Sequence, residues 1–145
     1  MIKVMVFGTF DGVHPGHENF FEQAKTHGDY LIAVVARDKT VEKVKGHSPD
    51  FPETERRNMV ASDPNVDLAV LGKYRDKYEI IGEHEPDVIC LGYDQNIFIE
   101  NIDQELKNMG LEAKVIRLEP YRSDIYKSSL LRKTERIVEQ NSNQQ

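Results

Sequence analysis

A chain of 145 residues is the size of one domain, which argues against an enzyme carrying a separate substrate module. Its 39% hydrophobic and 30% charged content suits a globular core that needs neither disulfides nor a structural metal, and a net charge of −6 argues against a large basic surface wrapping nucleic acid. Cys90 is the single cysteine, so an intrachain disulfide and a four-cysteine zinc site are excluded. The opening stretch lacks the pattern of a secretory signal, and no apolar run approaches the roughly 20 residues of a spanning helix. The expectation is a cytoplasmic protein with no membrane or nucleic-acid partner.

Short β-rich apolar runs alternate along the chain with segments of helical spacing, the pattern of an α/β fold with a parallel sheet covered by helices. Ile2 to Phe7 reads as the first strand. Glu18 to Lys25 reads as a helix, with Phe20, Phe21 and Ala24 on one face and Gly28 as its stop. Tyr30 to Ala36, apolar almost throughout, is expected to be the central strand. Asp38 to Val44 makes a short helix, Gly46 to Pro52 a loop, and Glu53 to Ala61 a further helix. Strands follow at Asp67 to Leu71 and Asp87 to Leu91, with a crossing segment at Tyr74 to Glu85. Phe98 to Met109 carries Ile99, Ile102, Leu106 and Met109 at helical intervals, and Lys114 to Leu118 is a fifth strand. A terminal helix is expected from near Ser128. Residues 1–133 then form the working domain, and residues 134–145 the end of that helix and a polar tail.

Charge is unevenly spread. Residues 76–112 hold ten acidic and two basic side chains, whereas residues 117–133 hold five basic and two acidic ones. The second segment is a candidate anion-binding end.

The most informative stretch lies between the first strand and the first helix: Gly8, Thr9, Phe10, Asp11, Gly12, Val13, His14, Pro15, Gly16 and His17. Small residues permit close backbone approach, and a helix start offers unpaired amides and a favourable dipole to phosphate. His14 and His17, three positions apart, can present two imidazole donors on one side of that phosphate. The alternative is a turn in which the glycines serve geometry and the histidines cap or pack. The spacing fits neither the P-loop nor the dinucleotide fingerprint. Asp11 has three readings: a turn cap, a partner orienting His14, or a carboxylate near magnesium.

Gly8 through His17 resembles the HxGH signature of the cytidylyltransferase-like nucleotidyltransferases, in its glycerol-3-phosphate cytidylyltransferase form, and the likeness runs over about residues 2–131. Within that superfamily Ala36 to Val41, Lys45-Gly46 and Leu91 to Gln95 are most similar to the short archaeal FAD synthases. The resemblance implies a Rossmann-like nucleotidyltransferase fold and transfer of AMP from ATP to FMN, with release of pyrophosphate. It also implies magnesium or another divalent cation with ATP or CTP, and a homodimer. Glycerol-3-phosphate or related phospho-alcohol cytidylylation is the nearest alternative, and a nucleotide-binding sensor the contrasting class. His14 and His17 are then the residues that stabilise charge at the α-phosphorus.

Four further groups complete the candidate site. Lys45 is the counterpart of the family's phosphate-binding lysine, with Lys43 as the alternative. In the next helix Arg57 resembles the family's recurrent arginine, which implies support of the nucleotide site or of the interface, and Arg56 reads as surface charge. Gly92 and Asp94 lie after the fourth strand, where open sheets present binding loops. Arg122, Ser123, Ser128 and Ser129 resemble, in degraded form, the family's RTxGISTT segment, which binds nucleotide phosphates; Ile125 stands at its glycine position. The catalytic set is thus His14, His17, Lys45 and Arg122. The nucleotide-binding set is Gly8, Thr9, Phe10, Asp11, Gly16, Gly92, Asp94, Ser123, Ser128 and Ser129, with Lys43 and Arg57 in support. Tyr93, Phe98, Tyr121 and Tyr126 are candidates for stacking on an isoalloxazine ring or for a core or dimer contact. Cys90 reads as a small buried hydrophobe, and His27 and His47 as surface or capping groups.

Overall fold

The computed structural model describes residues 1–74, 76, 78–92, 95 and 99–120. Five strands, β1 (Lys3–Gly8), β2 (Tyr30–Val35), β3 (Leu68–Leu71), β4 (Val88–Leu91) and β5 (Lys114–Arg117), pair in parallel in the order β3-β2-β1-β4-β5. β1 is the middle strand, and β2 lies in the interior of the sheet beside it, paired on both edges. The apolarity of β2 reflects coverage on both faces.

Right-handed crossovers place helices on both faces of such a sheet. Helices α1 (Pro15–Lys25), α2 (Asp38–Lys45) and α3 (Glu53–Ala61) are followed by α4 (Glu79–His84) and α5 (Ile99–Asn108). Alternation along β1 divides the core in two. Val4 and Val6 pack with Phe21 and Ala24 of α1 and Val60 of α3. Met5 and Phe7 point the other way, toward Ile80 and Ile81 of α4 and Ile102 and Leu106 of α5. Cys90 is fully buried in the first of these cores, where loss of water pushes its thiol up to about 12 and leaves it an inert hydrophobe.

Helix α1 begins at Pro15, three residues before the expected Glu18, because His14 supplies an N-cap and proline is well suited to the first helical position. α2 ends where Gly46 adopts φ 80°. The expected terminal helix near Ser128 and the polar tail lie outside the described residues. Among those described, no helix is long and apolar enough to cross a membrane.

Candidate active site

In a sheet of order 3-2-1-4-5 the connections leave β1 and β4 in opposite directions, opening a crevice at their carboxyl ends. A cleft of about 1390 Å³ occupies that place. It is lined at the end of β1 by Gly8, Thr9, Phe10, Asp11, His14, Gly16 and His17, by Lys43 and Lys45 of α2, and by Gly92 after β4. A cleft of this size exceeds the roughly 300 to 1,000 Å³ usual for one drug-sized ligand, which leaves room for more than one.

The HxGH loop is built around a buried aromatic. Phe10 takes φ 52° and is 4% exposed, with its ring against Phe21. That ring lies so close to Gly8 that a Cβ there would meet it at 2.5 Å, which accounts for glycine at the end of β1. Phe10 also meets the His17 ring edge-on, with centroids 5.3 Å apart. Its side chain therefore acts as the floor beneath a histidine, while the residue also lines the cleft.

The histidine pair caps the helix, as the second of its two readings had it. His14 Nδ1 accepts the Gly16 amide at 3.0 Å, the amide of His17 completes the capping box, and His17 Nδ1 receives the His14 amide at 3.4 Å. The first amides of α1 are thus taken by an imidazole, which corrects the expectation that they meet phosphate directly. An Nδ1 that accepts must leave its proton on Nε2. The cap therefore sets the His14 tautomer with an N–H available to a ligand, and the two rings stack at 3.8 Å with 23° between planes.

His17 is held neutral. Removal from water, the neighbouring His14 and Lys45, opposed by the Gly12 backbone, together lower its pKa from 6.5 to about 4. Near pH 7 the ring is a neutral donor. An unfolded chain would protonate it from pH 6.5 downward, so its contribution to stability is complete above 6.5 and is lost as pH falls toward 4. A ring-proton titration by NMR should place the His17 midpoint near 4, and the melting temperature should fall over that window less steeply in His17→Gln than in the wild type. A midpoint near 6.5 would contradict this environment.

Asp11 is a cap, but for a distant loop. Its carboxylate accepts the amides of Asp50 at 2.7 Å and Phe51 at 2.9 Å. Desolvation pushes its pKa up, yet those amides, with Arg56 and Lys45, outweigh that and hold it below the ordinary value. The neighbouring pin is Arg56. It is fully buried and donates to Phe51 O at 2.8 Å, Thr9 O at 2.8 Å and Asp38 Oδ1 at 2.7 Å. The reading of Arg56 as surface charge is therefore corrected: it is a buried supporting arginine, while Arg57 is half-buried and is not among the residues lining the cleft. Lys45 lies close enough to depress His17 and to favour ionised Asp11, which brings it over the HxGH loop; Lys43 lines the same cleft.

Several contributors carried no local signal. Glu53 accepts the Asp38 amide at 2.8 Å and pairs with Arg37 at 3.1 Å, joining α2 to α3. Gln95 bridges the Gly92 amide and Phe7 O, both at 2.7 Å, while Arg117 donates to Gly92 O and Gln95 O. Gln23 grips the Glu119 backbone through both its side-chain atoms, so the chain leaving β5 passes the flank of α1. Asp94, Arg122, Ser123, Ser128 and Ser129 lie outside the described residues, as do Tyr93, Phe98, Tyr121 and Tyr126. His27 and His47 are exposed. Among the described residues no three His, Cys, Asp or Glu side chains converge on a cation position.

Residues 5–134 match the cytidylyltransferase-like family model. The chain is 46% identical over 121 residues to an FAD synthase of Aciduliprofundum boonei, covering 83% of this chain and 80% of that one. It is 43% identical over 138 residues to an FAD synthase of Ferroglobus placidus, covering 95% and 89%. Among solved structures, a lipopolysaccharide core biosynthesis protein from Thermoplasma volcanium superposes with a TM-score of 0.80 at 36% identity, covering 84% of this chain and 99% of that one.

Proposed function

The chain belongs to the cytidylyltransferase-like nucleotidyltransferase family, and we propose that within it the protein acts as an FAD synthase, joining AMP from ATP to FMN. The observation that carries this reading is the stacked His14–His17 pair at the mouth of β1, inside a cleft with room for more than one ligand. The relatives named FAD synthase support FMN as the acceptor.

In the reaction an FMN phosphate oxygen attacks the α-phosphorus of ATP. The bond from that phosphorus to the β-phosphate oxygen breaks, and pyrophosphate departs with the electron pair. The attacking phosphate is already ionised near neutral pH, so the chain has little proton transfer to perform. Its task is to position two anions and to neutralise charge gathering on the phosphoryl oxygens. His14 donates from Nε2, neutral His17 lies stacked beside it, and Lys45 brings positive charge across the cleft. Arg122 and the serines 123, 128 and 129 are assigned to the triphosphate, with Asp94 at the nucleotide.

Magnesium suits this chain as part of the nucleotide substrate, carried on its phosphates, rather than as an ion held by a set of protein ligands. Asp11, the carboxylate in the motif, is already engaged by two amides. A homodimer and a cytoplasmic site of action belong to the same proposal.

The test is a matrix of ATP and CTP against FMN, glycerol 3-phosphate, phosphocholine and phosphoethanolamine, with product mass and pyrophosphate measured together. FAD from ATP plus FMN alone is the expected result. CDP-glycerol from CTP would overturn the acceptor and keep the chemistry, whereas nucleotide binding without pyrophosphate in any well would make the protein a sensor.

A further inference from the structure

Among the described residues four large hydrophobic side chains are exposed: Met1, Ile2, Val44 and Tyr74. Met1 and Ile2 precede β1, at the end of the sheet away from the cleft. Val44 and Tyr74 both line the cleft. Apolar surface left open on the wall of a concave site is a binding feature.

Tyr74 is also held in place. The Arg37 guanidinium carbon lies 4.6 Å from its ring centroid, and Arg37 is itself fixed by Gly72 O at 2.8 Å and Glu53 at 3.1 Å. One face of the ring is therefore backed by an anchored cation. The residue is 59% exposed, which leaves ring surface for a planar partner.

Its place in the sheet decides which partner. Tyr74 follows β3, at one edge of the order β3-β2-β1-β4-β5, next to β2, from which α2 continues. In-line displacement keeps the entering acceptor and the departing pyrophosphate on opposite sides of the α-phosphorus. The HxGH loop follows the middle strand β1, so an acceptor entering on the β3 side of it meets Tyr74. α2 lies there too, bringing Lys39, Lys43 and Lys45 to the same cleft for the acceptor's phosphate.

We propose that Tyr74, backed by Arg37 and sharing the cleft wall with Val44, is the stacking wall for the isoalloxazine ring of the acceptor, and so a specificity residue for a flat aromatic phosphate ester over a small phospho-alcohol. The proposal rests on the FMN reading above.

The experiment compares wild type, Tyr74→Phe and Tyr74→Ala in FMN titrations at saturating ATP. Quenching of flavin fluorescence with a non-hydrolysable ATP analogue is measured in parallel. Tyr74→Ala should raise the FMN KM roughly tenfold and lose most of the quenching, with the ATP KM within about twofold. Tyr74→Phe, which keeps the ring, should restore both to near the wild-type values. An unchanged FMN KM and quench in Tyr74→Ala, or a rise confined to the ATP KM, would overturn the stacking wall while leaving FAD formation by the wild type intact. A wild type that neither makes FAD nor quenches FMN would remove both readings.

Discussion

His17→Ala should lower kcat by about two to three orders of magnitude, with a much smaller change in the ATP KM, because a donor aimed at charge that develops in the transition state acts on turnover more than on binding. The histidines also begin α1, so a bare alanine scan mixes two effects. Loss of a helix cap costs roughly 1 kcal/mol on its own. Two substitutions separate them. His14→Asn keeps a strong N-cap acceptor for the Gly16 amide yet removes the imidazole Nε2–H, and should hold the melting temperature within about 2 °C of wild type while losing at least about 100-fold in kcat. His17→Gln retains the reciprocal half of the capping box and a neutral N–H donor, and should fall between wild type and His17→Ala. If His14→Asn turned over at the wild-type rate, the imidazole would be a cap and nothing more.

The second large effect lies away from the reacting atoms. Arg56→Met should destabilise the fold by about 3 to 5 kcal/mol, since it leaves Asp38, Thr9 O and Phe51 O without the guanidinium that joins them. For a chain of this size that corresponds to a loss of roughly 10 °C or more in melting temperature. Arg56→Lys keeps the charge but not the fork, so it should recover only part of that stability. Turnover should drop in both variants at temperatures where they remain folded, because the HxGH loop and the loop before α3 are no longer tied together. A melting temperature for Arg56→Met within 2 °C of wild type would contradict the pinning role.

The contrast between these two sites describes what the sequence made legible. The HxGH loop was readable because its parts are contiguous: a strand run, small residues, two histidines at helical spacing and a proline at the start of a helix. Elements with strong local signals came out close to their observed bounds, as with α3, where Pro52 sets the entry and Glu53–Ala61 is helical. Arg56 was misread because two of its three partners sit 18 and 47 residues away, and a charged residue in a short helix is ordinarily exposed. One signal was available: Arg56 lies four residues before buried Val60, on the same helical face. Position in the sheet was also obscure, since β2's apolar run shows coverage on two faces and says nothing about which strand is central. Tyr74 escaped notice because an exposed tyrosine after a strand gains meaning only when Arg37, from another connection, is found beneath it.

The most direct test of the account follows the oxygens of the acceptor phosphate. FMN labelled with oxygen-18 on its phosphate should give FAD that retains every labelled oxygen, together with unlabelled pyrophosphate in equal amount, as attack at the α-phosphorus requires. Pyrophosphate released without FAD, or oxygen-18 appearing in the pyrophosphate, would contradict transfer of AMP to FMN by this protein.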